Sequence, residues 1–254
     1  RQQKGKDLKL SIPVILEDVF LGADKTIKIK RLENCDSCNG SGAEKGAQPI
    51  TCTGCNGSGE VRRMQRSLFG QVVNVQPCQN CRGTGKVISN PCKSCRGDGL
   101  TRNSASISFQ IPPGISGGNY MTQQGEGNKG QNGTPPGDLI IYFEEVEHDL
   151  FVRDQNDIYV DAFVSYPIAV FGGQIEVPTL GGNVRLKVPA GIRPGQMLRL
   201  RNKGLPELNS HRIGDLFVRI NIHVPKNVSK KAKEIIQDLD AELNENSDFK
   251  KFSN

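Results

Sequence analysis

The sequence predicts a mostly β protein: two tandem, related β-sandwich-like domains, a cysteine-rich arm inserted into the first, and a short helix at the C-terminus. Three observations predict this fold. Part of the chain repeats, apolar residues alternate with polar ones at a period of two, and all eight cysteines lie between Cys35 and Cys95. The 254 residues include 29 Gly, 14 Pro and no Trp, a composition that favours strands and turns over long helices.

The internal repeat is visible as pairs of segments that match at one offset. Residues 109–118 resemble residues 186–195, and the Gly-Asp-Leu sequence at 137–139 recurs at 214–216. Both matches have an offset of 77 residues. Such self-similarity indicates two copies of one structural unit.

The front of the repeat matches at a different offset, which locates an insertion. Residues 27–29 (Ile-Lys-Ile) resemble residues 175–177 (Ile-Glu-Val). Seven residues separate Val177 from Val184, whereas 78 separate Ile29 from Ile107, so we expect the first copy to carry 71 additional residues that include every cysteine.

Strands are predicted where apolar and polar residues alternate, because successive side chains of a strand point to opposite faces. A long Gly-rich loop is predicted for residues 117–137. The alternating segments are 8–14, 27–30, 107–111 and 216–224. The predicted domains are 6–34 with 100–147 for the first β domain, 35–99 for the arm, 148–225 for the second β domain, and 226–254 for the helix and tail.

The C-terminal segment changes to a helical period. Ser229 can cap the N-terminus of a helix. One apolar stripe follows at helical spacing, and it can pack either on the second domain or on a second copy of the chain. The stripe consists of Ala232, Ile235, Ile236, Leu239 and Leu243.

The cysteines form four copies of one motif, C-x-x-C-x-G-x-G. Two thiolates separated by two residues can bind one zinc ion from a tight turn, and two such turns fill a tetrahedral site. Four turns therefore predict two structural zinc ions per chain, with no open position for hydrolytic chemistry. The pairs are Cys35 with Cys38, Cys52 with Cys55, Cys78 with Cys81, and Cys92 with Cys95.

Three other uses of these cysteines remain open from the residues alone. They are disulfide stapling, thiol–disulfide oxidoreductase chemistry, and a nucleic-acid zinc ribbon. Residues 35–99 carry eight basic residues against four acids, but Phe69 is their only aromatic residue, so a base-stacking platform is missing. Spacing also leaves open which pairs share a metal, and residues 61–75 between the inner pairs could form a hairpin.

The remaining composition excludes some classes of function. The net charge of +6 permits nucleic-acid binding without arguing for it. The sequence has no run of 18 apolar residues and no charged-then-apolar leader, so we expect a cytoplasmic protein that does not cross a membrane. No nucleophile or phosphate-loop motif has its structural context, so we expect no enzymatic activity.

Four such motifs inserted into the first of two related β domains resemble the class I DnaJ cochaperones. The resemblance covers the chain from Asp7 to about Leu243. It implies that the outer cysteine pairs, first with fourth, form one zinc site, and that the inner pairs, second with third, form the other. The sequence shows no His-Pro-Asp motif and no Gly/Phe-rich linker, so we expect a piece of a longer protein that does not by itself stimulate a DnaK-type ATPase.

The resemblance also implies a function. The family binds unfolded polypeptides beside an edge strand of the first β domain, delivers them to a DnaK-type chaperone in protein folding and the heat response, and dimerises through its C-terminal helix. The positions that resemble its client groove alternate within strands, which is equally typical of ordinary core. They are Leu8, Ile27, Ile29, Ile107 and Ile141, and those resembling the dimer contact are Ile235, Ile236, Leu239 and Leu243.

Overall fold

The fold is taken from a computed structural model that describes residues 4–47, 49–67, 70–81 and 83–243. Its residues group into two compact units, one of 1–149 with 205–213 and one of 150–204 with 214–254. The cysteine arm belongs to the first unit, and the segment 205–213, which lies within the second repeat in sequence, is also grouped there.

The first unit is built from two small sheets and a long arm. One sheet has the order β1-β9-β8, in which β1 runs parallel to β9, and the other is the antiparallel pair β2-β7. The arm carries the short pairs β3-β6 and β4-β5. The elements are β1 (Leu8–Val14), α1 (Leu16–Leu21), β2 (Ala23–Asn34), β3 (Ile50–Thr51), β4 (Glu60–Ser67), β5 (Gly70–Pro77), β6 (Lys86–Val87), β7 (Leu100–Ile111), β8 (Tyr120–Gln123) and β9 (Leu139–Glu145).

The second unit repeats this plan without an arm. Its larger sheet has the order β10-β11-β15-β14 with β11 parallel to β15, and its smaller sheet is β12-β13. The elements are β10 (Val152–Asp154), β11 (Asp157–Val164), α2 (Tyr166–Phe171), β12 (Gly173–Val177), β13 (Val184–Val188), β14 (Gln196–Leu200), β15 (Leu216–Ile222) and α3 (Lys230–Leu243).

Burial follows the predicted alternation. Along β1 the side chains of Ile12 and Val14 are buried, while their neighbours Ser11 and Pro13 are exposed. The parallel pairs β1-β9 and β11-β15 supply much of each core. Fully or almost fully buried residues include Phe143, Ile111, Leu139 and Ile141 in the first unit, and Ile158, Leu216, Val218 and Ile220 in the second.

The ladder registers confirm the repeat and correct its offset. Leu8 lies opposite Leu139 as Ile158 lies opposite Leu216, and Ile27 lies opposite Ile107 as Val177 lies opposite Val184. The front offset is therefore 150 throughout, and Ile27 matches Val177 rather than Ile175. Because 80 residues separate Ile27 from Ile107 and seven separate Val177 from Val184, the insertion has 73 residues, not 71. A slip of two residues keeps every side chain on its face, so alternation alone could not detect it.

Two other sequence expectations need correction, and two short helices were missed. The predicted loop 117–137 contains β8 and a 3-10 turn at Gln131–Gly133. The last strand ends at Ile222, and Val224, predicted within it, is 78% exposed. The short helices α1 and α2 were not predicted, although each ends at a glycine of the repeat, Gly22 and Gly172.

The predicted hairpin in the arm and the predicted C-terminal helix are both present. The hairpin is β4-β5, in which Met64 lies opposite Val73, and Leu68 and Phe69 at its tip lie outside the described residues. The α3 helix is capped as expected, because the Ser229 hydroxyl accepts the Ala232 N–H at 3.2 Å. The tail after Leu243 lies outside the described residues.

Candidate metal centres and strand-edge surface

The structure brings the eight cysteines together as two tetrads. In each tetrad all four sulfur atoms lie within 4.8 Å of one another. We call them the outer tetrad and the inner tetrad. The outer tetrad is Cys35, Cys38, Cys92 and Cys95, and the inner tetrad is Cys52, Cys55, Cys78 and Cys81.

The sulfur separations test whether a metal fits. A tetrahedral zinc site with Zn–S bonds of about 2.3 Å has S···S edges of about 3.8 Å. In the outer tetrad Cys35 Sγ lies 3.9 Å from Cys92 Sγ, and Cys38 Sγ lies 3.7 Å from Cys95 Sγ. The corresponding inner distances are 3.9 and 3.6 Å. All eight cysteines are free of disulfides, so both tetrads have the donor set and spacing of a closed four-thiolate site.

The glycines of the motif explain how two knuckles approach closely enough to share one ion. A Cβ atom on Gly42 would lie 2.4 Å from the Gly97 carbonyl oxygen, and one on Gly99 would lie 2.4 Å from that of Gly40. Both Gly42 and Gly99 also have positive φ, +73° and +72°. A side chain at either position would therefore push the paired knuckle away.

Backbone N–H groups point at the sulfur of the second cysteine in each knuckle. Gly42 N–H donates to Cys38 Sγ at 3.3 Å, and Gly99 N–H donates to Cys95 Sγ at 3.2 Å. The inner tetrad repeats the contact with Gly59 to Cys55 and Gly85 to Cys81, both at 3.3 Å. Such donors stabilise thiolates, the form that binds metal.

Within each tetrad the thiols differ in acidity. Burial raises the pKa of Cys52 to about 11. Burial also opposes ionisation of Cys81, but backbone N–H groups, with Gly85 foremost, outweigh it and lower the pKa of Cys81 to about 7. In the outer tetrad a backbone hydrogen bond from Cys95 lowers the pKa of Cys92 to about 7, and burial raises that of Cys95 to about 11. Cys81 and Cys92 are therefore the thiols whose ionisation the fold favours, and metal binding requires each coordinating cysteine as a thiolate.

The five predicted groove residues, here called the strand-edge surface, lie at different depths. Leu8 and Ile27 are half-buried, whereas Ile29 and Ile107 retain 9% and 6% of their surface and Ile141 retains none. Leu8 and Ile27 thus offer side-chain surface, and the other three lie in or next to the core. Sequence reasoning missed Leu10, which is half-buried on the same face of β1 as Leu8.

Two strand edges accompany these residues. Among the strands of the described residues, β1 pairs with β9 alone and β2 pairs with β7 alone, so each has one edge open, except at Leu32 of β2, whose N–H and C=O bond to residues 128 and 129. Lys28 and Lys30 on β2 are exposed. An open edge presents N–H and C=O groups that an added extended chain can pair with.

The C-terminal helix keeps its apolar stripe exposed. Ile235 and Ile236 are 57% and 52% exposed, and Leu239 and Leu243 are 41% and 46% exposed. None of the helix residues that the structure describes is buried. The predicted dimer residues therefore form one uncovered face.

A pair of matched aspartates was also missed from the sequence, although both lie in the repeated Gly-Asp-Leu. The backbone N–H of Asp138 donates to Asp7 at 2.7 Å, and its carboxylate accepts the Gly125 N–H at 2.9 Å. The Asp215 N–H donates to Asp157 at 2.7 Å, and its carboxylate accepts the Asn202 N–H at 2.8 Å. In each repeat, these two hydrogen bonds therefore connect the start of the parallel strand pair with the turn that precedes its second strand.

Comparison with known proteins assigns the family. The family model described as "DnaJ C terminal domain" matches residues 8–225. The chain belongs to this DnaJ family. Proteins named "Chaperone protein DnaJ" are 42% identical over 235 residues in Chlorobium chlorochromatii, 45% over 236 in Chlorobaculum tepidum and 42% over 241 in Acetivibrio thermocellus.

These alignments cover most of the chain but only part of each DnaJ relative. They include 92%, 93% and 95% of this chain and 58%, 58% and 62% of the three relatives. The chain therefore spans about three fifths of the length of these relatives, each of which is named a chaperone protein. No helix of the described residues has the length and apolarity needed to cross a bilayer.

Proposed function

We propose that this DnaJ chain binds unfolded or misfolded polypeptides along the open strand edges of its first unit. The observation that carries the proposal is the combination of half-buried Leu8 and Ile27 with the open edges of β1 and β2. An extended client pairs its backbone with an edge while one large apolar side chain packs against these residues. Folded proteins hide both features, so the site selects unfolded chains without making or breaking a bond.

In the full-length protein, the bound client passes to a DnaK-type ATP-dependent chaperone. This step is inferred from family membership. It is assigned to the full-length protein because the chain spans about three fifths of the relatives it matches. The site of action that fits such a partner is the cytoplasm.

Each tetrad holds one structural zinc ion, two per chain. The donor set supports zinc, because four thiolates at these spacings suit a borderline-soft, tetrahedral ion. Zinc bound by four protein ligands cross-links the knuckles and supplies no open position for catalysis. Through this cross-link the eight cysteines hold the arm in shape, and the glycine N–H groups that donate to sulfur orient the thiolates.

The α3 helix joins two copies of the chain through its uncovered apolar face. Two client sites held in one dimer raise the effective concentration of the second site once the first is occupied. A weak contact at each site can then retain a client.

The test is peptide binding measured by fluorescence anisotropy, using a labelled extended peptide that carries one large apolar side chain. The Ile27→Ser change should weaken binding strongly while the protein stays folded. Leu198→Ser is the matched control, because Leu198 is also a half-buried apolar strand residue but lies in the second unit. Equal affinities for the two variants would refute the assignment of the site.

A further inference from the structure

The Asn128 side chain bridges strand β2 and the segment that leads into strand β1 of the first unit. Its Oδ1 atom accepts the Leu32 N–H at 2.9 Å, and its Nδ2 atom donates to the Lys6 carbonyl at 3.1 Å. Lys6 lies two residues before Leu8 in β1, and Leu32 lies five residues after Ile27 in β2. One half-buried amide therefore connects β2 with the approach to β1, the two strands that bear the accessible residues of the strand-edge surface.

The backbone around Asn128 reinforces this bridge. Its own N–H also donates to the Lys6 carbonyl at 3.1 Å, and its carbonyl accepts the Gly137 N–H at 2.9 Å. The Lys129 N–H donates to the Leu32 carbonyl at 2.9 Å. Both backbone groups of Leu32 that point away from β7 are thus bonded, and β2 has a partner on each side at this one residue.

A buried charge fixes the same point of β2. Arg31 is 9% exposed, and its guanidinium donates to the Glu126 carbonyl at 2.8 Å and to the Glu126 carboxylate at 2.5 Å. It also donates to Glu33 at 2.5 Å. A cation this deeply buried is retained only with such partners, so Arg31 also holds the loop before Asn128 against β2.

The second repeat shows that the fold itself does not require the bridge. The Gly127 N–H donates to the Gly137 carbonyl, and its repeat equivalent Gly204 donates to Gly214, both at 2.9 Å. At the next position, however, Asn128 is matched by Leu205, which can make neither polar contact. The second copy also carries no arm, so the bridge and the arm occur together in the first copy.

The first copy differs from the second in having a junction between the arm and the strand-edge surface. After Leu32, only Glu33 and Asn34 precede Cys35, and they pair with Thr101 and Leu100. A two-stranded ladder is marginal by itself, so its last rungs depend on the closed outer tetrad. Without the Asn128 bridge, loss of order at the outer tetrad would extend along β2 towards Ile27.

We propose that Asn128 is a positioning residue. It sets the spacing of β1 and β2 at the arm end of the strand-edge surface, and it keeps that spacing when the outer tetrad loses its metal. The inference rests on the proposed client site in the first unit.

The experiment compares Asn128→Ala and Asn128→Asp with the native chain, with and without a strong chelator. Asn128→Asp is the milder variant, because its carboxylate still accepts the Leu32 N–H but cannot donate to Lys6. Asn119→Ala is the matched control. Asn119 Oδ1 likewise accepts a backbone N–H, from Ser116 at 2.8 Å, but Asn119 precedes β8 at the other edge of the sheet.

Peptide affinity is the first measurement. With metal bound, Asn128→Ala should weaken binding of the labelled peptide about tenfold. A change of this size corresponds to the free energy of roughly one hydrogen bond. The ratio of affinities for peptides with Leu or Phe as the large side chain should also change. Asn128→Asp should show a smaller loss, and Asn119→Ala should leave both quantities unchanged.

Hydrogen exchange along β2 is the second measurement, and it detects more than a general loss of stability. In the native chain the chelator should speed exchange only at residues 32–34, whereas in Asn128→Ala the faster exchange should extend to residues 27–29. If the exchange pattern is the same in the two proteins, or if Asn128→Ala binds peptide as Asn119→Ala does, the proposal is wrong.

The Ile27→Ser variant separates the two levels of inference. If it abolishes binding while Asn128→Ala has no effect, the client site stands and the positioning role falls. If Ile27→Ser leaves binding intact, the client site is elsewhere and both inferences fall.

Discussion

Substitution of Gly99 by alanine tests the close approach of the two outer knuckles. The new Cβ would lie 2.4 Å from the Gly40 carbonyl oxygen, so the knuckles must separate by roughly 0.6 Å to reach even a 3.0 Å contact. Crowding of this kind costs about 1–3 kcal/mol, and the positive φ of +72° adds about 1–2 kcal/mol. Because Gly99 N–H donates to Cys95 Sγ, the cost falls on the outer tetrad.

Gly46→Ala provides the control, because Gly46 also has a positive φ, +90°, but a Cβ there meets nothing within 4 Å. It should incur only the conformational cost of about 1–2 kcal/mol. The difference of about 1–3 kcal/mol corresponds to roughly 5- to 150-fold in metal affinity. Zinc release to a colorimetric chelator should therefore be biphasic in Gly99→Ala, with one weakened ion per chain, and native-like in Gly46→Ala. Identical release from the two variants would show that the knuckle contact does not hold the ion.

Three further predictions concern other parts of the chain. Chelation should convert eight thiols from protected to alkylated, counted by mass spectrometry; alkylation of any pair before chelation would favour the oxidoreductase alternative. The double change Ile236→Glu and Leu239→Glu should yield a monomer in sedimentation velocity, while the matched change of exposed Glu234 and Asp238 to Gln should leave a dimer. The third prediction concerns Asp215, whose pKa is lowered in the folded chain chiefly by the Asn202 N–H and also by Arg199. Its stabilising effect is complete above the unfolded pKa of about 3.9 and disappears as the pH falls through the lower, folded pKa. The protection factors for amide exchange in β14 and β15 should accordingly fall below about pH 4 in the native chain and change less with pH in Asp215→Asn.

Alternation and self-similarity made the β architecture accessible from the sequence, because both reflect side-chain placement on strands. The same reasoning failed where the pattern is degenerate. Matching Ile27 with Ile175 and with Val177 gives identical faces, and only the ladder with Ile107 distinguishes the two registers. The helices α1 and α2 have six residues each, too short to show a helical period.

The candidate sites were likewise only partly predictable from the sequence. The cysteine motif identified every thiol, but its spacing could not say that Cys35 meets Cys92, since this depends on the intervening arm folding back on itself. The burial of Ile141 and the accessibility of Ile27 could not be distinguished either, because both alternate within strands. Asn128 left no local signal: its partners Lys6 and Leu32 are 122 and 96 residues away.

The way the arm joins the first unit has a consequence for engineering. Asn34 and Leu100, which flank the cysteine segment, are paired across one rung of an antiparallel ladder, so the chain leaves and re-enters the unit at neighbouring positions. Closing so short a gap costs little chain entropy whatever the length of the excursion. In the second unit the ladder ends at Val177 opposite Val184, the rung equivalent to Ile27 opposite Ile107, and a short loop closes it. Residues 35–99 can therefore be treated as a portable cassette: removable in favour of a two-residue turn, or graftable onto the tip of another hairpin, with the two sulfur tetrads carried intact.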